Sequence, residues 1–275
     1  MDFSPKQELS KFLEEDIGKI DITSKLLIKK KIKAKIITRE NCTVAGTLFT
    51  KQIFSLKGCK TKIIKPDGTL AKPNQSIIEI TGISHSVLTC ERTALNLLSR
   101  MSGIATETNE LVKKIKKTKS KSQLFATRKT APGLRFFDKE AVKIGGGNKH
   151  RMRLDDMIMI KDNHIAIHNS LSKLIEKAKS KHKKIEVEVE DEKGALLAAK
   201  SGVNIILLDN FTPKRINQVI KKLEKNDLRK KVKLEASGGI NLKNIQSYAK
   251  TGIDMISVGS ITNSPKSIDM SLEIC

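Results

Sequence analysis

A chain of 275 residues, 38% of them apolar, is long enough to bury one large core or two smaller ones. Its 53 Lys and Arg against 30 Asp and Glu leave a formal charge of +23, which favours anionic partners; yet aromatic residues make up only 3% and Trp is absent, so the stacking platforms of a single-strand nucleic-acid binder are scarce. No apolar run approaches the roughly 18 residues of a membrane span. Cys42, Cys59, Cys90 and Cys275 form neither a C-x-x-C pair nor a disulfide framework, and polar residues interrupt the N-terminal MDFSPKQELSKFLEED, so a reduced cytoplasmic protein without a signal peptide is expected.

The first predicted element is a helix entered at Ser4-Pro5. Ser4 is the expected cap, Pro5 the first helical residue and Gln7 the partner in a capping box, with Leu9, Phe12 and Leu13 as the apolar stripe. Short β-like runs at 34–37, 61–64 and 77–80 follow, with turns at Gly46, Asp67-Gly68 and Pro73-Asn74. Over 86–117 the pattern is helical again, through Val87, Ala94, Leu97, Leu98 and Met101. The lysine-rich stretch 113–121 ends that helix and marks the expected boundary of an N-terminal α+β domain over 1–112.

Beyond it, apolar strands at 185–189, 205–208, 232–235 and 255–258 recur at intervals of about 20 to 27 residues, with helical segments at 193–201, 213–225 and 242–251 between them. That alternation predicts βαβ units and a parallel sheet. With 124–126 and 157–160 added, six strands suggest an incomplete parallel α/β barrel over 113–262, followed by a C-terminal tail, 263–275, returning to the N-terminal domain.

Functional groups of such a barrel sit where its strands end. Read in order, those ends carry Arg128-Lys129, Lys161, Glu188 or Glu190, Asp209, Ser237-Gly238-Gly239 and Val258-Gly259-Ser260. The stretch 125–165 also holds Arg135, His150, Arg151, Arg153 and His164, separated by Pro132-Gly133 and Gly145-Gly146-Gly147, a pattern suited to a pocket for a ligand with several negative charges. Glu186, Glu188 and Glu190 alternate with valines and share one face, which the apolar opposite face turns into the barrel interior. Buried carboxylates need cations or a metal, and oxygens from these glutamates together with Asp209 suit Mg²⁺. Glycine loops after the last two strands suit a phosphate. Lys149 and Arg151 disfavour protonation of His150, which is therefore expected to bind a carboxylate and not to transfer protons.

Thr127-Arg128-Lys129-Thr130, Pro132-Gly133-Leu134-Arg135, the glycine triplet before His150-Arg151, and Ile160-Lys161-Asp162-Asn163-His164 together resemble the quinolinate phosphoribosyltransferases. Asp21-Ile22-Thr23-Ser24, Glu91-Arg92, Ser102-Gly103-Ile104-Ala105-Thr106, Glu186 to Val189, Leu208-Asp209-Asn210 and Ser237-Gly238-Gly239-Ile240 follow in family order. Lys149 stands where the family usually has Asn, and Asn263 where it usually has His. The resemblance implies an enzyme of NAD synthesis that joins quinolinate to phosphoribosyl pyrophosphate and releases pyrophosphate and CO₂. It implies Arg128, His150, Arg151 and Lys161 as quinolinate ligands, and Thr127 and Lys129 beside the substrates' charged groups. Glu188 and Asp209 would serve the ribose and Mg²⁺, and the two glycine loops the 5′-phosphate. Arg92 would act in the neighbouring subunit of a homodimer or dimer-based oligomer. The alternatives are a related phosphoribosyltransferase with another acceptor or, on the charge alone, a nucleic-acid-binding protein.

Overall fold

The computed structural model describes residues 3–181 and 184–275. His182 and Lys183, part of the lysine run 177–184, lie outside the described residues, as do Met1 and Asp2. The chain divides into two compact units: one comprises everything up to Asn109 with Lys143–Gly146 and Ser264–Cys275, the other Glu110–Val142 with Gly147–Asn263. No helix among the described residues is long and apolar enough to cross a membrane.

The first unit begins with α1 (Pro5–Ile17), which buries Leu9 and Leu13. The expected capping box does not form, because the Ser4 side chain accepts no cap hydrogen bond. Pro5 already removes one of the orphan donors of the first turn, and the Ser4 carbonyl takes the Gln7 and Glu8 amides at 3.1 and 3.2 Å. Then come β1 (Lys31–Thr38), β2 (Cys42–Thr43), α2 (Thr47–Leu56), β3 (Lys60–Ile63), β4 (Leu70–Ala71), β5 (Ser76–Ile83) and the long α3 (Ser84–Lys117). Helix α2 interrupts the stretch read as β. Its buried stripe is Thr47, Thr50, Ile53 and Phe54, so half of the helical periodicity is written in threonine and shows no apolar signal. Asp67 holds its start by accepting the Thr47 amide at 2.9 Å and its hydroxyl at 2.8 Å.

Two motifs of the sequence prove to be packing devices of this unit. Ser102 on α3 accepts the Ala45 amide at 3.1 Å, and Thr106 accepts the Thr43 amide at 2.9 Å. Between them Gly103 leaves room for the chain near Lys266, whose carbonyl would lie 1.8 Å from a Cβ at that position. Asp21 takes the Ser24 amide at 2.9 Å and the Thr89 hydroxyl at 2.9 Å, fixing the first loop to α3.

The second unit alternates strand and helix: β6 (Gln123–Phe125), α4 (Arg135–Ile144), β7 (Ile158–Ile160), α5 (Asp162–His168), α6 (Leu171–Lys179), β8 (Ile185–Val189), α7 (Glu192–Lys200), β9 (Ile205–Asp209), α8 (Pro213–Lys225), β10 (Lys233–Ser237), α9 (Ile245–Ala249), β11 (Met255–Ser257) and α10 (Ser260–Asn263). Its six strands pair in the order β6-β11-β10-β9-β8-β7, all parallel. The first strand thus pairs with the last, and the sheet curls as a partial α/β barrel. The final strand, β12 (Met270–Ile274), pairs antiparallel with β1 in the first unit's sheet, ordered β12-β1-β5-β3.

Period-two alternation sorts the barrel's side chains. Along β8, Ile185, Val187 and Val189 are buried on one face, while the glutamates take the other and grade outward. Glu186 is 0% exposed, Glu188 is partly covered and Glu190 is exposed. Register aligns Glu188 with Leu207 on β9, and Leu207 with Glu235 on β10. A layer of carboxylates therefore lies within the sheet's concave side, below its C-terminal edge.

Candidate active site

A cavity of about 410 Å³ opens at the C-terminal ends of the parallel strands. Thr127, Arg128 and Lys129 enter it after β6, Lys161 after β7, and Asp209 and Ser237 from the last residues of β9 and β10. Glu188 comes from β8, and His150 and Arg151 from the segment after α4. Met159, Leu207, Glu235 and Ser257 complete the wall. Residues far apart in sequence converge because parallel strands place every C-terminal end on one side.

One side of the cavity is cationic. The buried Arg128 Nε has no hydrogen-bond partner. Among the described residues the Arg151 guanidinium makes a 3.4 Å bond to the Met157 carbonyl and a 3.1 Å contact with the Met159 sulfur. Burial first, then the charge of Arg128, lowers the affinity of Arg151 for its proton. Two guanidinium groups close enough to repel, in a partly dry wall and short of acceptors, have the chemistry to receive an anion.

The other side is acidic. Glu188 pairs with Lys161 Nζ, and Asp209 accepts from Asn210 Nδ2 at 2.7 Å. Burial, then the charge of Glu188, raises the pKa of Asp209 above the usual carboxylate value. Two carboxylates whose charges are not fully compensated fit a hard divalent cation that shares phosphate oxygens. Among the described residues the tightest set of metal-capable side chains is a different one, His150, Glu186 and Glu235, with ligand atoms within 4.8 Å of one another.

That set corrects the expectation for His150. Its Nε2 lies 3.2 Å from Glu235 Oε2 and 3.3 Å from Glu186 Oε2, and one N–H cannot aim at both; the better-aligned bond is to Glu235. Burial lowers the pKa of the imidazole, but the adjacent carboxyl groups of Glu186 and Glu235 outweigh it and raise the value to about 9. The sequence neighbours Lys149 and Arg151 do not decide the matter. Lys149 turns away to pair with Glu140. The Arg151 amide donates to Nδ1 at 2.8 Å, which favours the Nε2–H tautomer and opposes a second proton. The carboxylates are the stronger influence because they lie at contact distance from Nε2 in a dry site. Glu235 is in turn held by the Ser257 hydroxyl at 2.5 Å.

The glycine loops flank the cavity. Gly238 (φ 99°) and Gly239 (φ 61°) follow Ser237 in left-handed conformations. A Cβ at Gly238 would come within 2.1 Å of Asn210 Oδ1, so this turn admits only glycine. A Cβ at Gly259 would come within 3.3 Å of Lys129 Cδ, and the Thr262 hydroxyl donates to the Lys129 carbonyl at 2.8 Å. The Val258 amide is engaged by the Phe125 carbonyl at 3.1 Å, and Val258 is buried, leaving Gly259 and the exposed Ser260 nearer to solvent. Arg92 does not line the cavity; it is an exposed residue of α3 within the first unit.

The family model for the N-terminal domain of quinolinate phosphoribosyl transferase matches residues 21–102, and that for its C-terminal domain matches residues 104–273. The chain belongs to the quinolinate phosphoribosyl transferase family. A probable nicotinate-nucleotide pyrophosphorylase [carboxylating] of Methanocaldococcus jannaschii is 45% identical over 273 residues, covering 97% of this chain and 95% of the relative. The nicotinate-nucleotide pyrophosphorylase [carboxylating] of Rattus norvegicus is 33% identical over 266 residues, covering 96% and 88%. The solved nicotinate-nucleotide pyrophosphorylase of Francisella tularensis superposes with a TM-score of 0.91 at 37% identity, covering 98% of this chain and 96% of that one.

Within this quinolinate phosphoribosyl transferase fold, sequence reasoning missed Glu235, Ser257, Asn210 and Lys139. Glu235 was within reach, since it precedes Ser237 by two on β10 and the same alternation that turns Glu186 inward turns it inward too. Lys139 gave no signal, because a lysine on an amphipathic helix reads as solvent-facing.

Proposed function

We propose that this enzyme joins the ring nitrogen of quinolinate to C1 of phosphoribosyl pyrophosphate and then releases CO₂, giving nicotinate mononucleotide. The observation that carries this reading is the division of one cavity between the under-partnered guanidinium groups of Arg128 and Arg151 and the carboxylates of Glu188 and Asp209. A dicarboxylate belongs on the first side, through Arg128, His150, Arg151 and Lys161. Bidentate contacts from the two arginines hold it flat, which lysine alone does not achieve. Lys129 and Thr127 meet the substrates' charged groups between the two sides.

Glu188 and Asp209 face the ribose, where positive charge develops as the C1–O bond to pyrophosphate breaks. Fixed negative charge in a partly dry site favours that oxocarbenium-like state over the neutral ground state. Mg²⁺, held partly through substrate and water by the same two carboxylates, would neutralise the leaving pyrophosphate. The ring nitrogen supplies its lone pair to C1 and becomes cationic. The bond from C2 to its carboxylate then breaks, its electron pair remains at C2 next to the cationic nitrogen, and C2 takes up a proton. Ser237, Gly238, Gly239, Gly259 and Ser260, with Val258 as their buried anchor, cradle the 5′-phosphate. The test is formation of nicotinate mononucleotide, CO₂ and pyrophosphate from quinolinate, phosphoribosyl pyrophosphate and Mg²⁺, with nicotinate as the control acceptor. Turnover of nicotinate without quinolinate turnover would overturn the reading in favour of a relative with another acceptor.

The working unit in this proposal is a cytoplasmic two-fold dimer in which Arg92 serves the partner's cavity. Arg92→Ala and Lys161→Ala proteins, each inactive, are mixed after reversible dissociation. In a dimer exchanging Arg92, half the pairs are mixed and about a quarter of parental sites return. A mixture that stays inactive keeps Arg92 within its own chain.

A further inference from the structure

We propose that Lys139 is a positioning residue for the dicarboxylate: from inside α4 it fixes the backbone on both sides of His150 and so aims His150 and Arg151 into the cavity. The inference rests on the quinolinate reading above and deepens it. Lys139 is 0% exposed, among the largest fully buried side chains of the described residues. Its Nζ donates to the Lys149 carbonyl at 2.6 Å and to the Arg151 carbonyl at 2.5 Å. The residue between those carbonyls, His150, has φ 55°, a left-handed conformation that is uncommon for a residue with a Cβ. One buried ammonium group thus holds a backbone carbonyl on each side of His150.

Arg135, one helical turn before Lys139 on the same face of α4, extends the grip. Its Nη1 donates to the Met152 carbonyl at 3.1 Å, and its Nε to the Thr130 hydroxyl at 3.3 Å. From the other side Asp156 accepts the Met152 amide at 2.6 Å and the Arg153 amide at 3.1 Å. The side chain of Lys149 leaves for Glu140, so only its carbonyl serves this arrangement. That explains how Lys149 occupies a position where Asn is usual in the family.

Stability does not account for a lysine at this place. Burial, then the charges of Arg135 and Arg128, with Arg151 adding to them and Asp156 opposing, lower its pKa to about 8. A buried cation among cations is unfavourable, and an apolar residue of similar length would suit a core better. What the ammonium does, and methionine does not, is orient two carbonyls at once. With those carbonyls turned toward α4, the His150 and Arg151 side chains are left to line the cavity.

The experiment compares Lys139→Met and Lys139→Gln with the parental enzyme. Lys139→Met is expected to fold, to raise KM for quinolinate at least tenfold, and to leave KM for phosphoribosyl pyrophosphate within twofold. Lys139→Gln, which retains a donor on a shorter arm, recovers part of the loss. In a background carrying both His150→Ala and Arg151→Ala, Lys139→Met should cost less than a further twofold, since the groups it aims are gone. An unchanged quinolinate KM, a full additional loss in that background, or equal loss of both substrates overturns the proposal. So does failure of both variants to fold, which would make Lys139 a residue of the core. Failure of the functional reading is distinct, because it shows in the parental enzyme, which would then make no nicotinate mononucleotide.

Discussion

Two cavities open at opposite ends of the parallel sheet, and both are rich in cations. The one at the N-terminal ends of β6, β10 and β11 measures about 550 Å³ and carries Lys119, Lys121, Lys233 and Lys250. The one at the C-terminal ends is smaller, about 410 Å³. At the N-terminal end all four lysines are exposed. The one carboxylate there, Asp254, already pairs with Arg229 at 2.9 Å and accepts the Leu234 amide at 2.8 Å. At the C-terminal end the charges are sunk into the wall: Arg128 Nε is buried without a partner, and Glu186 and Glu235 are 0% and 1% exposed. Neither volume nor the number of lysines distinguishes an active site. Desolvated charge held in one geometry does, because only there is an electrostatic interaction strong enough to act on a substrate.

That contrast can be broken from either end. The largest effect is expected for Lys161→Ala, which removes a cation from the anion-binding wall and leaves Glu188 unpaired; kcat/KM for quinolinate should fall by about 2 to 5 kcal/mol in transition-state terms. Steady-state kinetics within twofold of the parent would remove Lys161 from the site. Next comes Asp209→Asn, which keeps the shape and deletes the charge facing the ribose. A loss of roughly 100-fold in kcat, a changed Mg²⁺ dependence and unaltered quinolinate binding are expected. Lost quinolinate affinity at constant kcat would place Asp209 on the wrong side of the cavity.

A smaller effect sharpens the account of the buried triad. His150 has a folded pKa of about 9, above its ordinary value, so its stabilising contribution is complete below about pH 6.5 and disappears as pH rises through 9. In Glu235→Gln the pKa should drop, and that pH-dependent part of stability should shrink by about 1 to 3 kcal/mol. Imidazole NMR titration with melting curves at pH 6, 7.5 and 9, taken as approximate points of that window, reads both. An unmoved titration would assign the shift to Glu186 alone. The smallest effect belongs to the opposite end, where Lys233→Ala with Lys250→Ala should leave kcat/KM within twofold and stability within about 0.5 kcal/mol. A tenfold loss of activity would erase the difference between the two cavities.

Much of this was legible from the chain alone. The strands at 185–189 and 205–208 and the helix at 213–225 announce themselves by period and turn residues, and all six barrel strands lie where alternation puts them. The inward face of Glu186 and Glu188 follows from period two. The cations of 128, 129 and 161 are visible as strand-end residues, and Arg151 as a cation amid turn formers. These are properties of nearest neighbours along the chain, and local sequence determines them. Helix α2 was hidden because threonine occupies two of its buried positions, and the capping box at Ser4 was promised by spacing but not made.

Tertiary structure alone decided the rest. The charge of His150 is set by Glu186 and Glu235, on two other strands, and not by the lysine and arginine beside it. Strand alternation alone left Glu188 and Glu190 equivalent; in the fold one carboxylate meets Lys161 while the other meets solvent. Lys139 reads as a surface lysine until α4 is packed against the loop it grips. Electrostatic and hydrogen-bond energies fall off over a few ångströms of space, whereas sequence records only distance along the chain; in a parallel barrel, where each strand end meets the next across an entire helix, the two measures part company at the active site.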